Sequence, residues 1–141
     1  MKSDPLITYR RKPATLDRDS LQSFAEVLRD RVARGREFHC LITNDVELQA
    51  LNAQFRKKDH PTDVLSFPDT GDIAISVQRA RTQALEHRHA LDAEIRILML
   101  HGVLHLLGMD HESDSGQMRR TETNWRRKLG LPTGLIERVT K

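Results

Sequence analysis

Ile95-Arg96-Ile97-Leu98-Met99-Leu100-His101-Gly102-Val103-Leu104-His105-Leu106-Leu107-Gly108-Met109-Asp110-His111 decides how the chain is read. Preceded by Asp92, which can cap it, the segment predicts a helix running to Leu107 that is apolar on most faces. Such a helix belongs at the centre of a fold rather than on its surface. Gly108 is the residue type that ends helices in the left-handed conformation. His101 and His105 are four apart, so their imidazoles share one face, one turn apart. After Gly108 the chain can turn back, and His111 follows three residues later.

A single histidine in an apolar helix is more often a hydrogen-bonded core residue. Two of them at this spacing are costly to bury unless something satisfies both. A third histidine after the glycine completes a three-nitrogen set with an open fourth position, which is how catalytic zinc is held. His101, His105 and His111 are therefore the candidate metal ligands. Zinc peptidases carry a glutamate base directly after the first histidine. Gly102 stands there instead, so the design expected is a metal that acidifies water or polarises a phosphoryl oxygen. Asp110 and Glu112 flank His111, and either could orient a ligand from behind; Asp110 is slightly favoured. His87 and His89 lie in a polar stretch and are expected at the surface. His39 and His60 stand alone.

Outward from this helix the chain alternates short strands and helices. Leu6 to Tyr9 reads as a strand. Leu21, Phe24, Val27, Leu28 and Val32 recur at helical spacing, and Gly35 stops that helix. Phe38 to Thr43 is a strand, with Cys40 as a buried small apolar residue. Asn44 followed by Glu47 is a capping-box-like start for a helix carrying Val46, Leu48, Leu51 and Phe55. Val64 to Phe67 and Asp72 to Ser76 form a hairpin across Asp69-Thr70-Gly71. A polar helix spans Val77 to Glu86, and a last helix spans Ser115 to Leu129. The sum is an α+β fold: a small mixed sheet of three to four strands packed with four to five helices.

The chain has 141 residues, 38% hydrophobic and 30% charged. That length buries about two-thirds of the unfolded surface and suits one domain, residues 1–141. Cys40 is the single cysteine, which excludes an internal disulfide. No apolar stretch has the length of a bilayer span. No signal-peptide pattern follows Met1, so the cytoplasm is the expected compartment. Lys and Arg number 23 against 20 Asp and Glu, a net charge of +3. This permits a polyanionic partner without requiring one. The cations cluster at Arg10-Arg11-Lys12, Arg56-Lys57-Lys58 and Arg126-Arg127-Lys128; solvated surface charge is the bland reading of each.

The run from His101 to His111 resembles the H-G-x-L-H-L-x-G-x-D-H signature of the YbeY family, bacterial zinc endoribonucleases of the rRNA maturation factor type. Two further blocks follow the family's order: Leu51-Asn52, Phe55-Arg56, Lys58-Asp59 and Pro61-Thr62-Asp63-Val64-Leu65-Ser66-Phe67-Pro68, then Gly71-Asp72-Ile73 with Ile75-Ser76. The resemblance implies a zinc-hydrolase-like α+β fold with one Zn²⁺ on His101, His105 and His111. It implies a zinc-dependent endoribonuclease, specific for single strands, acting at the 3′ end of 16S rRNA and in ribosome quality control. Single-stranded rRNA and ribosomal components are the implied partners, with neither a membrane nor DNA among them. The family's functionally important arginine falls on Arg56, the candidate catalytic residue. Met109 departs from the pattern, because many relatives carry an aromatic residue there.

Two rivals stand beside this reading. One is a zinc hydrolase of another substrate, such as a peptidase, against which Gly102 speaks. The other is a non-catalytic ribosome assembly factor whose zinc is structural. Ser66 and Thr62 are possible nucleophiles on paper, but no base is placed for either.

Overall fold

The computed structural model describes residues 5–10, 12–56, 63–110 and 113–132, with Arg56 described by its backbone alone. Among them are four strands and five α-helices. In order these are β1 (Ile7–Tyr9), α1 (Arg18–Val27), β2 (His39–Thr43), α2 (Asp45–Arg56), β3 (Val64–Phe67), β4 (Asp72–Ser76), α3 (Val77–Glu86), α4 (Leu91–Leu106) and α5 (Gln117–Lys128). The strands form one mixed sheet in the order β1-β2-β4-β3, which is the α+β class expected. β1 and β2 run parallel, as do β2 and β4, while β3 pairs antiparallel with β4.

Period-two alternation divides the sheet between two layers. Cys40, Ile42, Ile73 and Ile75 face the main core, shared with α1, α3, α4 and α5. Leu65 and Ala74 face the opposite side, where Leu48 of α2 closes a smaller core with Leu41, Leu51 and Phe67. Cys40 is fully buried, and burial pushes its thiol up to about 12. It is a packing residue rather than a reactive one.

α4 is the central helix anticipated. Ile95, Ile97, Leu98, Met99, Leu100, Val103 and Leu104 are each at most 1% exposed. Fully burying a side chain of this size contributes about 1.5–3 kcal/mol. Gly108 adopts φ +92°, the left-handed ending its position predicts. Where α4 passes β3 and β4, contact is close enough to need Gly102. A Cβ there would stand 2.9 Å from Ile73 Cγ2 and 3.3 Å from Ser66 Oγ.

Local chemistry explains most boundaries. Asn44 Oδ1 accepts from the Glu47 N–H at 2.9 Å and opens α2. Glu47 itself turns back to the Thr43 hydroxyl, so only half of the capping box forms. Thr70 and Gly71 N–H groups both donate to Phe67 O, closing the β3–β4 hairpin with Gly71 at φ +78°. Asp114 accepts from the N–H groups of Gly116 and Met118 and starts α5.

Three expectations are corrected. The helix expected to run evenly to Val32 ends at Val27 and continues as one π-helical turn, Leu28–Val32. The wider turn, closed by Ala33 N–H to Leu28 O at 2.8 Å, keeps Leu28, Val32 and Ala33 all in the core. Asp92 is not the cap of α4; it lies in the first turn and binds Arg96 Nε at 2.5 Å. A carboxylate there also complements the helix dipole. His89 is not a surface residue: its side chain is 12% exposed and meets the Glu94 carboxylate at 2.5 Å. Glu94 is fully buried, and a buried carboxylate needs such a partner. His87 is exposed, as expected.

Gly102→Ala is expected to force β4 away from α4 and to lower stability by about 1–3 kcal/mol. Denaturant melts of the two proteins measure this; equal midpoints would contradict the close-packing account.

Candidate metal centre

His101 is 5% exposed on α4, and its ring sits edge-on to that of His105, with centroids 4.7 Å apart. The Nε2 atoms of the two rings face each other at 3.1 Å. Each Nδ1 is engaged behind. His101 Nδ1 lies 2.7 Å from Glu122 Oε2, on α5. His105 Nδ1 lies 2.8 Å from the carbonyl oxygen of Met109, just past the end of the helix.

These contacts determine the tautomers. A carbonyl oxygen only accepts, so His105 Nδ1 must donate. A carboxylate likewise draws a proton onto His101 Nδ1. In their neutral forms both rings then point an Nε2 lone pair at the same small volume. Two lone pairs at that separation repel unless a metal ion or a proton lies between them. A metal ion satisfies both, and the donor set is one that zinc, copper or nickel accepts. The arrangement of ligand nitrogen, ring and rear acceptor is also the usual support of a metal-bound histidine.

The expected site residues fall as follows. The structure brings His101 and His105 together. His111, the third expected ligand, lies outside the described residues, as do Lys57, Lys58, His60, Thr62 and Glu112. Among the described residues no group of three His, Cys, Asp or Glu side chains is placed to hold a metal. Arg56 is the last residue of α2. Its neighbour Phe55 is 60% exposed and rests edge-on against Phe67, with centroids 5.6 Å apart. Phe67 follows Ser66 on β3, and Ser66 Oγ donates to Gly102 O at 2.9 Å in a buried contact. Ser66 therefore braces α4 beside His101, which accounts for its hydroxyl without a nucleophilic role.

Sequence reasoning missed Glu122 and the Met109 carbonyl. Asp110, favoured as an orienting group, accepts from the Ser113 hydroxyl at 3.2 Å, and the histidine it adjoins, His111, is among the residues not described; the group behind His101 is Glu122. Glu122 is 1% exposed. It occupies the inward stripe of α5 with Met118, Trp125 and Leu129. An acid on an otherwise apolar stripe was the available signal.

The position after the first histidine is closed by packing. A glutamate at 102 would drive its side chain into Ile73 and Ser66. The peptidase-type base therefore has no room in this fold.

Comparisons with known proteins agree over most of the chain. A family profile described as endoribonuclease YbeY matches residues 7–130. An endoribonuclease YbeY of Solibacter usitatus is 60% identical over 137 residues, covering 94% of this chain and 93% of its own. One from Koribacter versatilis is 47% identical over 141 residues, covering 96% and 93%. Among solved structures, the solution structure of TM1509 from Thermotoga maritima is 27% identical with a TM-score of 0.55, covering 84% of this chain and 85% of that one.

Replacing Glu122 by Leu is expected to lower zinc affinity about 10–100-fold, because His101 loses the acceptor that orients it. Glu122→Gln keeps an acceptor oxygen and should retain more of that affinity. Competition with a chromophoric chelator measures both; equal affinity in all three proteins would contradict the orienting role.

Proposed function

The chain belongs to the endoribonuclease YbeY family, and from that premise we propose that it is a metal-dependent endoribonuclease cutting single-stranded ribosomal RNA. The observation that carries the metal half of this reading is the convergence of the His101 and His105 Nε2 atoms with each Nδ1 engaged behind. His101 and His105, with His111 from its place in the family signature, would hold one zinc ion. When bound, zinc supplies positive charge where a phosphodiester gains negative charge in its transition state. Glu122 and the Met109 carbonyl hold the two rings in the tautomer this requires.

Arg56 is assigned to the phosphate. A guanidinium binds phosphate oxygens in a bidentate fork and keeps its charge at any working pH. Its location at the end of α2, next in sequence to a cationic pair, Lys57 and Lys58, is compatible with that task. The reaction class is phosphodiester cleavage, and Gly102 speaks against the peptidase rival, because a Cβ at that position already meets Ile73. The substrate we assign is the 3′ end of the small-subunit rRNA, encountered with ribosomal components in the cytoplasm. No helix among the described residues is long and apolar enough to cross a membrane.

The test is cleavage of a single-stranded RNA spanning that 3′ end by zinc-loaded protein and by Arg56→Ala and His105→Ala, each checked for folding by circular dichroism. Arg56→Ala is expected to lose about 10²–10³-fold in rate, the effect of removing one transition-state donor. His105→Ala is expected to lose activity together with bound zinc. Products ending in a 2′,3′-cyclic phosphate would identify the RNA 2′-hydroxyl as the nucleophile, and linear ends would identify water. No cleavage by the zinc-loaded wild type, even with ribosomal particles present, would overturn the nuclease reading in favour of an assembly factor.

A further inference from the structure

We propose that the outward face of α5 is a phosphate-tracking surface that holds RNA away from the point of cleavage. The proposal rests on the nuclease reading above and extends it to a surface on the far side of the helix that supports His101.

α5 is divided sharply between its two sides. Met118, Glu122, Trp125 and Leu129 form the inward stripe. Arg119, Arg120, Arg127 and Lys128 are exposed on the other side. Arg120 and Arg127 lie seven residues apart, hence on one side of the helix and about 10 Å apart along its axis. The only acidic residue of the helix is Glu122, which is turned inward against His101. Among the described residues, none of these four cations forms an ion pair.

The helix dipole does not account for the whole pattern, although Arg120 Nη1 does donate to Ser115 O at 3.3 Å. Cations in the last turn are favoured by the helix dipole, which covers Arg127 and Lys128. Arg119 and Arg120 occupy the third and fourth positions of α5, where the same dipole disfavours positive charge. They add to the like charge of the face instead of offsetting it. The surface also extends beyond α5. Arg31, exposed on the π-helical turn, lies 5.7 Å from the Trp125 ring, and Lys128 Nζ lies 4.9 Å from it. Cations on two separate segments are thus gathered around one indole.

A cationic face whose cations have no carboxylate partner among the described residues fits a polyanion, and for a ribonuclease that polyanion is the RNA backbone. The face stands about one helix diameter behind His101, roughly 10 Å, so only RNA longer than the cleaved segment reaches it. It would therefore add affinity and slow release without touching the chemistry.

The experiment compares wild type with the Arg120→Gln, Arg127→Gln double variant. Binding of a long unstructured RNA is read by fluorescence anisotropy across a series of salt concentrations, and cleavage of a short oligonucleotide is read in parallel. Each single-strand phosphate contact contributes about 0.7 to the slope of log affinity against log salt, so the double variant should lose about 1.4 from it. Its affinity at low salt should fall roughly tenfold. Melting midpoint, zinc affinity and short-oligonucleotide cleavage should match the wild type. An unchanged slope with cleavage intact would overturn this proposal alone, even if an acidic polypeptide lost binding. Absence of RNA binding and cleavage in the wild type would instead sink the nuclease reading beneath it.

Discussion

Two histidines on a largely buried helix are the constraint that shapes this fold. α4 is buried along most of its length, so His101 and His105 need partners within the protein. α5 supplies one through Glu122, and the turn after Gly108 supplies the other through Met109 O. Removing either partner strands a polar nitrogen in a mostly apolar interior, a loss of about 1–3 kcal/mol. The same contacts leave both Nε2 atoms aimed at one point. Structural satisfaction and ligand orientation are thus a single arrangement.

The sheet adds the second constraint. β4 lies against α4 so closely that Gly102 has no space for a side chain, and Ser66 of β3 donates its hydroxyl to the Gly102 carbonyl. Burial of Ile73 and Ile75 holds that approach in place. This packing explains why the histidine pair is not followed by a carboxylate base. It also ties β3, and through Phe67 the end of α2 that carries Arg56, to the helix that carries the histidines.

Much of this was legible in the sequence because the signals are local. Helical spacing located α1 and α2, the Asp69-Thr70-Gly71 turn located the β3–β4 hairpin, and the apolar run before Gly108 identified α4. The i, i+4 pair of His101 and His105 follows from helix geometry alone. Long-range partners were not legible. Glu122 is 21 residues from His101 in sequence, and only the docking of α5 on α4 brings them together. His89 reads as polar surface until Glu94, buried on α4, pairs with it. The π-helical turn after Val27 arises from tertiary packing that overrides an even helical period. The parallel pairing of β1, β2 and β4 depends on crossovers, which local patterns do not encode. Arg56, the candidate catalytic residue, and His111, the third expected ligand, rest on the family pattern.

The central claim is that His101 and His105 are held with their protons on Nδ1 and their lone pairs converging. Long-range ¹H–¹⁵N correlation of the imidazole rings measures this directly in metal-free protein and again after one equivalent of zinc. The account predicts Nδ1–H tautomers for both rings and a zinc-induced shift confined mainly to their Nε2 resonances. Nε2–H tautomers in the metal-free protein, or ring signals indifferent to zinc, would contradict it.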